Sequence, residues 1–259
     1  MKVVSKYFKK RKETINSILK KPRDKYYPGT FHKLRVEVKK LNALFELTNF
    51  CTKDFKEKKT FLPFKELFDQ AGKVREVQVE EAILRSYRTN SLKDFKNELR
   101  EKRISEQNNF FKISTKKFHL HLNDKLKIIN SFLSEIDNKK TNKFIDKKKK
   151  EITKLLQKRT SKTMQLHELR KQLKTLSYIS EHLYEDKSKL KTRYDLLSKL
   201  LGKWHDCEVI LEHFSRVLKS ESVNSKTKSK LRDIKSVIKA DYTNLFKRIN
   251  TKIEQSEFN

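Results

Sequence analysis

The chain has 259 residues, and 64 Lys and Arg against 33 Asp and Glu give a formal net charge of +31. Hydrophobic residues make up 35% and charged residues 37%, but the apolar residues recur with a helical period, which excludes a disordered chain. Three Gly and three Pro leave few breakers, which excludes a turn-rich β architecture and predicts an all-α protein.

In chain order, residues 3–20 read as a helix stopped before Pro22. Pro28 and Gly29 break the chain again, and Thr30 reads as the N-cap of a helix running to about Asn49. Residues 57–70 form the next helix, Gly72 permits a tight connection, and a further helix spans about 73–88. Residues 91–137 hold two helices, with Ser114 or Asn123 between them. The run Asn138–Asn142 reads as a boundary, dividing the chain into repeat 1 (1–137) and repeat 2 (138–259) of a single domain. Repeat 2 then offers helices at 142–159, 162–185, 189–201, 203–219 and 226–256, with a Ser/Lys-rich link at 220–230. Two helical bundles of similar design fit this plan better than a solenoid.

The division rests on two internal matches. Phe31-His-Lys-Leu-Arg-Val-Glu-Val-Lys-Lys-Leu41 returns as Leu166-His-Glu-Leu-Arg-Lys-Gln-Leu-Lys-Thr-Leu176, with five of eleven positions identical at an offset of 135. At about 100° per residue, His32, Arg35 and Lys39 share one stripe of a helix, and Leu34, Val38, Leu41 and Phe45 the opposite one. His167, Arg170, Lys171 and Lys174 repeat the cationic stripe, and Leu169, Leu173 and Leu176 the apolar one. Ala71-Gly-Lys-Val-Arg-Glu76 matches Leu201-Gly-Lys-Trp-His-Asp206 at an offset of 130. Similar blocks in the same order indicate an internal duplication.

In the second block, Glu76 and Asp206 would lie in the first turn of the following helix and complement its dipole. Arg75 and His205 put a basic group in the same place in both copies. Trp204 reads as packing rather than as a platform for bases.

Imidazole, guanidinium and ammonium groups on successive turns suit a ligand with regularly spaced oxyanions. Arg offers a planar fork to phosphate oxygens, Lys a mobile point charge, and His a donor that gains charge as pH falls. A base reader would interleave Asn, Gln or aromatic groups, and the stripes offer only Asn42 and Tyr178. A duplicated packing motif would also produce two such rows, with His32 and His167 bracing the bundle. The run Lys147–Lys150 points all round a helix and reads as a solvated face.

Taken jointly, H-x-x-R-x-x-x-K in two copies and the later L-G-x-x-[RH]-[DE] block resemble the CHAD family, the conserved-histidine α-helical domains. The resemblance implies two pseudo-symmetric helical bundles around a basic central groove or pore that binds inorganic polyphosphate, and association with polyphosphate granules. It implies polyphosphate-binding roles for His32, Arg35, Lys39, Lys40 and Arg75, and for His167, Arg170, Lys171, Lys174 and His205. The chain departs from the family where Lys39, Lys40 and Lys174 replace arginine. Asn42, Thr175 and Ser177 interrupt the stripe, and Ala71 and Glu76 stand where Leu and Asp are usual.

No E-x-E-x-K strand motif, Walker-type glycine loop or H-E-x-x-H occurs. His119 and His121, two apart, do not share a helix face. Cys51 and Cys207 sit at non-equivalent places, which argues against a disulfide framework or thiolate metal site. The expectation is a non-enzymatic binder without metal or cofactor. The alternatives are a nucleic-acid-binding protein or a component of polyphosphate metabolism whose catalytic residues are not recognisable. The first ten residues carry no signal-peptide run and no stretch approaches a membrane span, so the expected setting is cytoplasmic.

Overall fold

Pro28 opens the helix that carries the first cationic row, because a fixed φ and a missing N–H cost nothing at the first helical position. The computed structural model describes residues 2–87, 92–157, 163–183, 187–221 and 223–257. It contains nine α-helices among them: α1 (Lys2–Leu19), α2 (Pro28–Cys51), α3 (Glu57–Arg85), α4 (Lys93–Ile113), α5 (Lys116–Phe132), α6 (Asn138–Gln157), α7 (Thr163–Leu183), α8 (Lys187–Lys219) and α9 (Ser225–Glu257). Short 3-10 turns at Arg23–Lys25 and Leu133–Glu135 join their neighbours. No strand occurs among the described residues, and none of their helices is long and apolar enough to cross a membrane.

Several expected boundaries move. The N-cap of α2 is Tyr27, and Thr30 is a buried residue of the first turn whose N–H donates to the Tyr27 carbonyl at 2.8 Å. Gly72 and Gly202 make no interhelical turn: α3 and α8 run straight through them. A mid-helix glycine costs only about 1 kcal/mol relative to alanine, and the apolar residues on both sides outweigh it. Glu76 and Asp206 therefore lie inside helices, away from the N-terminal dipole. Residues 138–142 begin α6, with Asp137 Oδ1 accepting from the Lys140 N–H at 2.7 Å, so this boundary is a helix start. Between α4 and α5 the break falls at Ser114, and Thr115 caps α5 by accepting from the Phe118 N–H at 3.2 Å. The expected helix end near Arg88 lies outside the described residues.

The chain divides into two compact units, each discontinuous in sequence. The first comprises residues 1–78, 102–149 and 175–190; the second comprises 79–101, 150–174 and 191–259. Each draws on segments of both repeats.

In the first unit, α1 packs on α2 and α5, and the apolar stripe of α2 is fully buried at Leu34, Val38, Leu41 and Phe45. Edge-on aromatic pairs join α2 to its neighbours, Phe31 to Phe110 at 5.1 Å and Phe45 to Phe64 at 5.8 Å between centroids. Burying each such side chain is worth about 1.5–3 kcal/mol. An ion pair is enclosed here: Arg11 Nη1 lies 3.1 Å from Glu37 Oε2, with side chains 3% and 8% exposed.

The second unit buries Leu166, Leu169 and Leu173 of α7 with Leu197, Leu201, Trp204 and Phe214 of α8 and Leu231 and Ile234 of α9. Trp204 is fully buried and stacks on Tyr242 at 5.6 Å. His213 Nδ1 meets Glu80 Oε1 at 2.7 Å.

The lysine run is not uniformly solvated. Lys147 and Lys150 are exposed, but Lys148 is buried and pairs with Glu46 at 3.3 Å. Four consecutive residues span a full helical turn, so one must face inward.

Candidate functional site

The two cationic rows lie one in each unit, and their surroundings differ. On α2, burial of the apolar stripe turns His32, Arg35 and Lys39 outward. His32 is exposed, and Arg35, Lys39 and Lys40 are half-buried. Arg35 is held by α3. Its Nη1 donates to the Phe68 carbonyl at 2.7 Å, and its guanidinium carbon sits 3.9 Å from the centroid of the Phe68 ring. A Cβ at position 72 would run into Arg35 Nη1, so Gly72 opens the flank of α3 on which the guanidinium rests. Lys39 extends over the same ring, its ammonium 5.5 Å from the centroid. A cation over an aromatic face gains roughly 0.5–2 kcal/mol, which holds both side chains against the helix surface. Arg75, half-buried, lies one turn along α3 from Gly72 and so shares its face. Lys40 leaves the row: its Nζ pairs with Glu37 Oε1 at 3.3 Å and joins the buried Arg11–Glu37 pair.

On α7, Arg170 and Lys174 are half-buried one turn apart, and Lys171 is exposed, with Glu168 Oε2 3.8 Å from its Nζ. Burial lowers the Lys174 pKa, and the Arg170 charge lowers it further, while Asp195 and Asp206 pull it upward. Two cations in a partly desolvated place repel each other, and an anion between them relieves both the repulsion and the lost solvation.

Two histidines of this unit, His167 and His205, form a separate cluster. His167 Nε2 lies 2.9 Å from Glu208 Oε2, and His205 Nδ1 lies 3.4 Å from the same oxygen. The two imidazoles meet edge to face at 5.2 Å, and His167 also packs against Trp204 at 5.0 Å.

Three residues of these sites were not singled out from sequence. Phe68 had no signal beyond an aromatic ring one turn before Gly72. Glu37 sits among the cations of its own stretch, and only its burial identifies it as an internal partner. Glu208 was findable, since it follows His205 by three and shares its helix face. Elsewhere, Cys51 and Cys207 are free thiols, and burial pushes Cys51 up to about 11. His119 Nε2 lies 2.8 Å from Ser114 Oγ, and His121 is exposed.

The sequence matches the CHAD domain family model over residues 20–187, from the end of α1 through α7. None of the curated proteins matches it. Among solved structures, it is similar to the CHAD domain from the plant Ricinus communis. The TM-score is 0.75 at 13% identity, over 97% of this chain and 89% of that one. It is also similar to PptA from Streptomyces chartreusis, with a TM-score of 0.72 at 11% identity, over 100% of this chain and 99% of that one. At these identities the structural likeness is one of fold. The family match spans well over half of the chain and includes both cationic helices, and the chain therefore belongs to the CHAD domain family.

Proposed function

We propose that the chain binds inorganic polyphosphate on its two cationic helix faces and does so without catalysis. The observation that carries this reading is the recurrence of imidazole, guanidinium and ammonium groups one per turn on α2 and α7. Membership of the CHAD family supports it. The geometry of Arg35 supports it as well, since a guanidinium clamped between Phe68 and Gly72 loses less freedom on meeting an anion.

Nucleic acid would be served by the same net charge. A nucleic-acid reader, however, needs exposed aromatic or amide groups among its cations. Trp204 is fully buried, and Asn42 donates to Glu46 at 3.1 Å. Those side chains are thus engaged within the protein, which favours a phosphate-only ligand.

The test is competition binding at ~150 mM salt, where weak non-specific contacts fade through counterion release. Long-chain polyphosphate is expected to displace RNA at equal phosphate concentration, and the reverse order would favour nucleic acid. Paired substitutions His32→Gln with Lys39→Gln, and Lys171→Gln with Lys174→Gln, should each weaken binding about tenfold or more. A charge-assisted contact is worth about 1.5–3 kcal/mol when well formed. Replacing the exposed Lys139 and Lys143 by Gln removes at least as much charge as either pair and should cost far less. Equal losses from all three pairs would reduce the proposal to bulk charge.

A further inference from the structure

The helix faces that carry the two rows continue past Lys39 and Lys174. One turn further stand Asn42 and Ser177, and one turn beyond those Glu46 and Glu181, at the same offset of 135 residues. At about 100° per residue, His32, Arg35, Lys39, Asn42 and Glu46 fall within roughly 80° of arc, and the matching five positions of α7 do the same. Each face thus runs from imidazole, guanidinium and ammonium through a neutral side chain to a carboxylate.

Helix energetics do not call for either carboxylate. Glu46 lies in the C-terminal half of α2, and Glu181 in the last turn of α7, where the helix dipole disfavours negative charge. Glu46 is nonetheless firmly held. Its Oε1 accepts from Asn42 Nδ2 at 3.1 Å and from Thr175 Oγ1 at 3.5 Å, and its Oε2 lies 3.3 Å from Lys148 Nζ. Asn42 and Thr175, which interrupt the stripes, therefore turn their polar groups to Glu46. Lys148 is neutralised by the same carboxylate, so this end of the face offers no net attraction to an anion. Bracing of α6 and α7 accounts for Glu46 but not for Glu181. Glu181 is half exposed, and its ion-pair partner is His182 at 3.9 Å, a ring that burial holds toward the neutral form.

We propose, on the polyphosphate reading of the two rows, that Glu46 and Glu181 are boundary residues: each ends the anion track on its helix and so limits how many phosphate units that helix holds. A polyphosphate carries negative charge at every unit. Units level with His32, Arg35 and Lys39 meet basic groups over about 10 Å of helix. A unit carried on past Asn42 meets the Glu46 carboxylate instead of a fourth cation, and like charges in a half-desolvated place repel more strongly than in water. Glu46 lies about 21 Å along the helix from His32, well beyond the ~8 Å screening length at ~150 mM salt. It therefore penalises a chain that extends toward it rather than anion binding as such.

The experiment titrates the full-length protein with tripolyphosphate and with long-chain polyphosphate by calorimetry at ~150 mM salt. It compares the unaltered chain with Glu46→Gln, Glu181→Gln and, as an equal charge change at an exposed site on α1, Glu13→Gln. Glu46→Gln and Glu181→Gln should each tighten long-chain binding about three- to fivefold, the upper range for one partly exposed charge interaction. Each should also raise the number of phosphates covered per protein at saturation. Tripolyphosphate, short enough to lie on the basic groups alone, should gain less, and Glu13→Gln should move both ligands far less. Glu46→Gln leaves Lys148 without its carboxylate; if far-UV circular dichroism shows that variant unfolded, the half-exposed Glu181→Gln decides. Equal gains for the two ligands, or variants that bind long chains no better than Glu13→Gln does, overturn the proposal and leave polyphosphate binding intact. An unaltered protein that binds neither ligand overturns the polyphosphate reading, and the boundary with it.

Discussion

Gly72 and Gly202 occupy matching places in the two repeats, yet a methyl group at each would meet different surroundings. At 72 it would strike Arg35 Nη1; at 202 nothing lies within 4 Å. Gly202→Ala should therefore gain about 0.5–1 kcal/mol of stability from reduced backbone freedom in the unfolded chain. Gly72→Ala gains the same amount but pushes the guanidinium off the Phe68 carbonyl, losing about 0.5–1.5 kcal/mol. Its net stability change should lie within about 1 kcal/mol, while polyphosphate affinity falls because Arg35 is no longer held. Chemical denaturation and binding titrations on both variants check this, and equal behaviour of the two would detach Arg35 from Gly72. The pairing of this arginine with this glycine was not legible in the sequence, because the two residues are distant in the chain and meet only when α2 packs on α3.

Helix type and the cationic and apolar stripes were legible at the scale of the element, since periodicity reports directly on which face is buried. Helix continuity was not, because packing across Gly72 and Gly202 outweighs a small local propensity cost. Nor was the fate of each cation: Lys40 and Lys148 turn to internal carboxylates, a choice made by Glu37 and Glu46 on α2. The C-terminus of α7 poses a similar contest. His182 stands in its last turn, where the helix dipole favours a cation. Desolvation nevertheless lowers its pKa, the charges of Arg11, Lys40 and Lys10 lower it further, and Glu181 only partly opposes them. The folded state therefore prefers the neutral ring, which packs 5.1 Å from Tyr7. Between the ordinary value near 6.5 and the lowered folded value, the unfolded chain binds more protons, so stability present above that window is lost as pH falls through it. Urea denaturation at pH 7.5 and 5.5 should show this loss, and His182→Gln should reduce it. An unchanged loss in the variant would place the titrating group elsewhere.

Over the whole molecule, the repeats visible in the sequence and the compact units are different partitions. Residues 1–137 contain one cationic row and one glycine block, but the first unit also needs 138–149 and 175–190, including the buried Phe144, Ile145, Leu176 and Ile179. A fragment of residues 1–137 should therefore lack a cooperative thermal transition, while the full chain shows one; a sharp melt of the fragment would overturn this. The interleaving also bears on how the protein is made. A ribosome delivers the chain from one end at about 5–20 residues per second. The first unit's opening segment ends at residue 78, but its last segment emerges only with residue 190, on the order of ten seconds later. During that interval α1 and α2 present the apolar stripe of Leu34, Val38 and Leu41 without all of its final cover. The nascent chain spends the wait with a greasy, strongly basic surface, a natural client for whatever chaperone meets it at the exit tunnel.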